Sequence, residues 1–324
     1  MHILVTGGAG YIGSHTAKAL SRAGYKPVVF DNLEYGHRDA VRWGPLEEGD
    51  LNDPAGLDRV LRKYSFSAVI HFAAYISVGE SVREPGKYFR NNFVNTLNLL
   101  DAICAHGIKR IVFSSTAAVY GDPVEVPIPE THSQKPVNPY GESKLMVERA
   151  IGWYGDAYGL RSVRLRYFNA AGADPDGELG ENHEPETHLI PLAIRAALGK
   201  GPELQLFGTD YPSVDGTAVR DYVHVSDLAA AHVLAMRYLE QGGESAVCNL
   251  GTGTGITVRQ VLDMVEEISG KKVPVRLSPR RPGDAPELIA EASQARTLLG
   301  WMPERSDLRS IVKNAYSWHI SSKG

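Results

Sequence analysis

Short apolar runs without clean alternation recur through the first half of the chain, at residues 3–6, 27–30, 68–72, 110–114 and 162–167. Val, Ile and Phe dominate them. Strands covered on both faces read this way, because neither side of the pleat meets water. Between them lie stretches of helical character at 11–23, 54–64, 85–106 and 139–158. Leu97, Leu100, Ala102 and Cys104 make the third of these mostly apolar, which predicts a well-buried helix. Strand–helix alternation with short connections predicts an α/β fold built on a doubly wound parallel sheet.

The second half is less regular. Residues 174–187 are rich in Gly, Pro, Asp and Glu and read as loop; 188–198 read as a helix with a proline near its first turn. Strands are expected at 204–207, 246–250 and 273–277, and helices at 257–269 and 306–318. The pattern predicts a smaller α/β lobe woven from non-contiguous segments. Residues 1–168 form the sheet domain, a later segment near 217–251 returns to it, and 169–324 form mostly the lobe.

Composition narrows the function classes. With 324 residues, 43% hydrophobic and 22% charged, the chain sits near the globular average, which excludes disordered and fibrous classes. A formal charge of −4 leaves no footprint for nucleic acid or an anionic membrane. Cys104 and Cys248 lie far apart and outside any CxxC spacing, so buried free thiols in a reducing compartment are expected. The start of the chain lacks the basic end and long apolar core of a signal peptide. No apolar run reaches the roughly 18 residues of a membrane span. These features predict a soluble cytoplasmic protein. The histidines lack ligand spacing, and no metal site is expected.

After the first strand comes Gly7-Gly8-Ala9-Gly10-Tyr11-Ile12-Gly13, a G-x-x-G-x-x-G pattern that opens the first helix. Such a loop makes a tight turn, lets backbone approach a pyrophosphate and packs helix on sheet. The helix N-terminus then offers free N–H groups and a positive dipole end to phosphate. Asp31 ends the second strand, where an acid accepts hydrogen bonds from the adenosine ribose hydroxyls and repels a 2′-phosphate. Asn32 follows and no arginine stands beside it, so NAD is favoured over NADP. Asp50 lies where an adenine-edge acceptor is expected.

Tyr140 and Lys144 are four apart at the start of a predicted helix and share a face. A free tyrosine is a poor base at neutral pH, and an ammonium one turn away is expected to lower its pKa. The pair is then suited to move a proton to or from an alcohol. Upstream, a strand ends in Ser114-Ser115-Thr116, and strand ends in such sheets face the ligand crevice.

Together these motifs resemble the extended short-chain dehydrogenase/reductase family, whose sheet is of the Rossmann type. Further blocks narrow the resemblance to its UDP-sugar 4-epimerases: His71-Phe72-Ala73-Ala74, Asn91-Asn92, Arg166-Tyr167-Phe168-Asn169, Val219-Arg220-Asp221-Tyr222 and Arg281-Pro282-Gly283-Asp284. These blocks run over essentially the whole chain. The resemblance implies interconversion of UDP-galactose and UDP-glucose through a transient 4-keto sugar, with NAD as resident cofactor. Tyr140 is the implied base, Lys144 its partner on the cofactor ribose, and Thr116 the bridge between Tyr140 and the sugar 4-oxygen.

The resemblance also implies cofactor contacts at Tyr11, Ile12, Leu33 and Leu51, at Phe72, Ala73 and Ala74, and at Asn91, Ser114, Tyr167 and Phe168. For the substrate, Arg220 and Arg281 are the implied diphosphate partners, since arginine's planar fork suits that group. Asn169, His188 and Leu189 line the substrate. Gln205 and Phe207 lie at the uracil end, and Asp284 at a ribose.

Ile76 and His188 depart from the family's lysine and asparagine. Leu288 stands where room for the sugar 2-substituent is set. Nucleotide-sugar 4,6-dehydratases carry Asp-Glu after the strand-end Thr; here Ala117-Ala118 follow, against dehydration. A UDP-pentose 4-epimerase is the nearest alternative. A non-catalytic NAD-binding regulator predicts loss of Tyr140 or Lys144, and both are present. Family members pair the helices at 85–106 and 139–158 into a four-helix bundle, which implies a homodimer.

Overall fold

The computed structural model describes residues 1–281 and 284–321. The chain opens with β1 (His2–Thr6), α1 (Tyr11–Arg22), β2 (Lys26–Asp31), β3 (Leu46–Glu48), α2 (Pro54–Lys63) and β4 (Phe66–His71). A short α3 (Val78–Arg83) leads into one long rod made of α4 (Pro85–Tyr88), a π-helical segment (Phe89–Val94) and α5 (Asn95–Ala105). Then come β5 (Arg110–Thr116), α6 (Pro139–Tyr158) and β6 (Arg161–Tyr167).

The second half runs through β7 (Asn169–Ala171), α7 (Leu189–Ala197), β8 (Leu204–Phe207), β9 (Val219–Arg220) and β10 (Tyr222–His224). It continues with α8 (Val225–Glu240), β11 (Ala246–Leu250), β12 (Ile256–Thr257), α9 (Val258–Ser269) and β13 (Val275–Ser278). β14 (Glu287–Leu288), α10 (Ser293–Leu299) and α11 (Leu308–Ile320) complete it.

Seven strands form one parallel sheet in the order β11-β6-β5-β4-β1-β2-β3. It is a doubly wound, Rossmann-type α/β sheet. Neighbouring residues of one strand serve opposite cores: Ile3 and Val5 pack with Leu20, Leu228 and Met236 on the α1–α8 face, while Leu4 packs with Leu57, Leu99 and Val147 on the other. Both faces are covered, which is why the strands read as unbroken apolar runs. β1 is followed on one side by β2 and on the other by β4, so the strand order reverses between β1 and β4. The crevice beyond their C-terminal ends is where ligands bind in such sheets. A third cluster, built from Ile190, Ile194, Val261, Val265, Ile311 and Val312, holds α7, α9 and α11 together.

The structure departs from expectation at four points. The helix expected at 85–106 is interrupted by the π-helical turn. Cys104 is only half-buried, on the edge of its cluster, whereas Cys248 is buried; both are free thiols. The α8 helix was not expected. Its Ala-rich sequence is apolar on most sides, and it is buried against α1 and the sheet, so no polar stripe marks it. The last helix starts two residues late, because Ser306 donates to Asp227 and Asp307 caps the first turn. Pro282 and Gly283 of the motif noted above lie outside the described residues.

A buried ionic network fastens α6 to the sheet. Arg166 of β6 donates to Glu148 of α6 through Nε at 2.9 Å and Nη2 at 2.5 Å, and Ser115 of β5 donates to the same carboxylate at 2.5 Å. The two charged side chains are 2% and 3% exposed. Removing one member of such a pair strands the other charge in the interior, at a cost of about 3–5 kcal/mol. Glu148→Ala is expected to lower the unfolding free energy by about that amount, measured by urea denaturation.

Candidate active site

The glycine loop is closed too tightly for side chains. Gly7 has φ +70°, and a Cβ there would lie 2.5 Å from the Ala73 nitrogen. A Cβ on Gly13 would lie 2.2 Å from the Gly7 carbonyl oxygen. Gly10 is the N-cap of α1 and supplies no side-chain bond, so the first-turn N–H groups of Tyr11, Ile12 and Gly13 have no side-chain cap. A phosphate fits such an end, where N–H groups and the helix dipole act together. The loop is held from beneath by Phe72 and Ala73, whose N–H groups both donate to the Thr6 carbonyl, at 2.9 and 3.2 Å. Ala74 follows on the same rim.

Asp31 ends β2 and is buried. Its Oδ2 accepts from Ala9 N–H and its Oδ1 from Leu33 N–H, both at 2.9 Å. Leu33 adopts φ 59°, a left-handed conformation. Burial raises the Asp31 pKa, and the two N–H groups pull it back. A carboxylate has further lone pairs for ribose hydroxyls. Asn32 donates to Asp50 at 2.8 Å, so those two predicted residues meet. Leu51 is buried among Phe30, Leu57 and Leu99. Asn91 sits in the π-helical turn and donates to Asn92. This donor set and the side-chain-free cradle fit a dinucleotide that carries free ribose hydroxyls.

On the other wall stands the helix that carries Tyr140 and Lys144. Asn138 caps α6 by accepting from Gly141 N–H at 2.8 Å, and Pro139 takes its first position. Lys144 Nζ donates to the Ser114 carbonyl at 2.9 Å and lies 5.0 Å from the Phe113 ring centre. Ser114 is hydrogen-bonded to the Tyr167 hydroxyl. Thr116 ends β5; its oxygen accepts from Ala118 N–H at 3.1 Å, which leaves its O–H free to donate. Phe168, together with Leu288, packs against the cluster of Ala117, Tyr120 and Leu145.

The electrostatics correct one expectation. Burial raises the Tyr140 pKa, and the neighbouring Thr116 hydroxyl opposes that rise. Lys144 does not lower it, because burial takes Lys144 itself down to about 7, with Glu148 pulling the other way. Burial thus moves both groups of the unliganded pair towards their neutral forms.

The substrate side is assembled by short strands. Arg220 of β9 pairs with Leu288 of β14, and Asn169 of β7 with Tyr222 of β10. Asp284 binds both arginines, Arg220 through Nη2 and Arg281 at 3.3 Å. Arg281 stacks over Phe207, 4.8 Å from its ring centre. Gln205 is exposed on β8, and Leu189 opens α7. An open cleft of about 530 Å³ runs beside Arg281 and Asp284. Thr116, Tyr140 and Lys144 are not among its lining residues.

His188 precedes α7 and lies 2.6 Å from Glu181 through Nδ1, so only its Nε2 remains for substrate. Here a second expectation fails: His183 and His188 are not isolated but gathered with Glu181 and Glu186. The spacing Glu181-x-His183-x-x-Glu186-x-His188 was the available signal. Two further residues were overlooked. Asn92 fixes the loop after β4 to α6, bonding Tyr75 through backbone N–H and carbonyl and reaching Ser143. Glu148 lies on the Tyr140–Lys144 face, one more turn along.

The sequence model of the NAD dependent epimerase/dehydratase family matches residues 3–251. The chain is 56% identical over 321 residues to a UDP-glucose 4-epimerase of Rhizobium leguminosarum bv. trifolii, covering 99% of this chain and 98% of the relative. The UDP-glucose 4-epimerase from Brucella ovis in complex with NAD superposes with TM-score 0.96 at 51% identity, over 98% and 97% of the two chains. A Stenotrophomonas maltophila UDP-glucose-4-epimerase with bound NAD and formylated UDP-arabinopyranose gives TM-score 0.95 at 39% identity, over 98% and 97%. The chain belongs to the NAD dependent epimerase/dehydratase family. Within it, these relatives are UDP-glucose 4-epimerases, and the chain is an NAD-dependent isomerase of that kind.

Lys144 yields a test with a definite sign. Its folded pKa of about 7 lies below its ordinary 10.5, so between those values the unfolded chain holds a proton that the folded one releases. Stability from this group rises with pH across that window. In protein stripped of nucleotide, Lys144→Met is expected to flatten that rise, seen as urea midpoints at pH 7 and 9 that differ less than in the parent.

Proposed function

We propose that this protein interconverts UDP-galactose and UDP-glucose by inverting carbon 4, using a resident NAD. One observation carries the reading: Tyr140 is buried beside Thr116 and one turn from Lys144, at strand ends next to the glycine loop. NAD, when bound, takes the hydrogen at carbon 4 as hydride and returns it. The glycine loop, Asp31 and Lys144 would hold it.

Tyr140 holds the proton at the sugar 4-oxygen. As phenolate, the form that the positive charge of bound NAD⁺ would favour, it accepts that proton as the alcohol becomes a ketone and returns it on the way back. The same burial keeps bulk water away from the phenol oxygen. Thr116 donates its free O–H towards the same oxygen. Arg220 and Arg281 take the diphosphate; Arg220 spends two of its N–H donors on Asp284 and the Val219 carbonyl and keeps the rest. Ala117 and Ala118 supply neither acid nor base beside the sugar, which argues against elimination of water.

Purified protein given UDP-galactose without added cofactor is expected to form UDP-glucose. No conversion even with NAD supplied overturns the reading. Conversion of only UDP-arabinopyranose or an N-acetylated sugar would move it to another UDP-sugar. Tyr140→Phe is expected to lose at least ~10²-fold in kcat while keeping its NAD absorbance; undiminished turnover removes Tyr140 from the proton path.

The same reading includes a homodimer through the α4–α5 rod and α6, which expose Val94 and Trp153 at 46% and 73%. Sedimentation at micromolar concentration is expected to give twice the chain mass, and a monomer alone refutes it. Among the described residues no helix is long and apolar enough to cross a membrane. Free thiols fit the cytoplasm.

A further inference from the structure

The reaction proposed above uses only His188 Nε2 of a further cluster, whose two glutamate side chains are buried. Glu181, His183, Glu186 and His188 each offer a ligand atom, and all four atoms lie within 4.8 Å of one another. His183 Nδ1 and His188 Nδ1 lie 3.2 and 2.6 Å from Glu181 Oε1. His183 Nδ1 lies 3.9 Å from Glu186 Oε2, and His188 Nδ1 3.3 Å from Glu186 Oε1. The two glutamate side chains are 4% and 1% exposed.

Despite these short distances, Glu181 Oε1, Glu186 Oε2 and both Nδ1 atoms make no hydrogen bond. The four atoms crowd one another instead. An unpaired buried polar atom costs about 1–3 kcal/mol, so four in one place call for a common partner. A tetrahedral Zn²⁺ with bonds of about 2.0–2.2 Å sets its ligand atoms roughly 3.3–3.6 Å apart. The separations here straddle that value. Two carboxylates also cancel the ion's two charges, which makes burial of the whole group affordable in electrostatic terms.

The neighbours orient the ligands. Glu186 Oε1 accepts the N–H groups of Thr187 and His188 at 2.7 and 2.8 Å, which turns Oε2 inward. Trp318 donates to the Glu181 carbonyl at 3.1 Å. A second acidic group, Asp174, Asp176 and Glu178, shows the contrast. There Lys18 Nζ occupies the centre, 2.6, 3.0 and 2.5 Å from the three carboxylates, so no ion is needed.

We propose that Glu181, His183, Glu186 and His188 bind one Zn²⁺ as a structural site. Four protein ligands complete the shell and leave no open position for chemistry. The ion ties the loop between β7 and α7 to the start of α7, where Leu189 stands, and sets it against Tyr11 of the glycine loop, whose ring meets His183 edge-on. This inference rests on the cluster alone and survives failure of the epimerase reading.

The test is elemental analysis of protein purified without a metal-affinity tag. About one zinc per chain is expected, as is a melting temperature that falls on treatment with 1,10-phenanthroline and recovers when Zn²⁺ is restored. Cobalt supplied to the stripped protein is expected to give the strong visible bands of a four-coordinate N/O site. Glu181→Gln and His183→Ala are expected to cut bound zinc at least tenfold. A wild-type protein that takes up no zinc or cobalt, as a cluster held by protons alone would behave, overturns the proposal. So does zinc that stays bound in both variants. If neither variant folds, the cobalt spectrum of the wild-type protein decides.

Discussion

The placement of the helix that carries Tyr140 and Lys144 depends on one buried carboxylate. Glu148 receives Arg166 from β6 and Ser115 from β5, so a single side chain spans α6 and two strands of the sheet. Arg166 extends the network to Tyr120, which donates to Asn249 of β11. Asn249 in turn accepts nothing from bulk water: its amide donates to the Ile128 carbonyl, and its backbone N–H meets Glu130. Apolar packing alone would let α6 slide or roll on the sheet. Bonds of fixed direction between named atoms do not permit that, and Tyr140 and Lys144 inherit the precision.

That anchoring matters because the site works by burial. Tyr140, Lys144, Thr116 and Ser114 are all withdrawn from water. Water removal holds both the phenol and the ammonium towards their neutral forms, so the empty site stores little charge. A ligand that brings charge of its own therefore acts on groups poised to respond, in a region of low dielectric where each interaction is strong.

Much of this was legible in the sequence, for identifiable reasons. The parallel sheet shows itself because strands buried on both faces lose their alternation. The α6 helix carries its own punctuation, with Asn138 and Pro139 before it and Gly159 in the left-handed conformation after it. The glycine loop is readable because no side chain fits at Gly7 or Gly13. What stayed hidden depends on tertiary contact. The α8 helix has no polar stripe, since nearly all its sides are covered. The effect of Lys144 on Tyr140 was misjudged because proximity along a helix says nothing of how deeply both groups lie. The histidine cluster was missed because its spacing follows a loop, not a helical turn.

The π-helical turn within the long rod has a mechanical meaning. An ordinary helix advances about 100° per residue, and one widened turn puts the segments before and after it out of phase. The front of the rod packs against α6, while the back packs against both α2 and α6. Asn91 and Asn92 stand in the widened turn itself; Asn91 donates to Asn92, which locks Tyr75 and Ser143. The rod behaves as a vernier: a fixed angular offset, built into the backbone, that lets one run of helix meet two neighbours, α6 and α2.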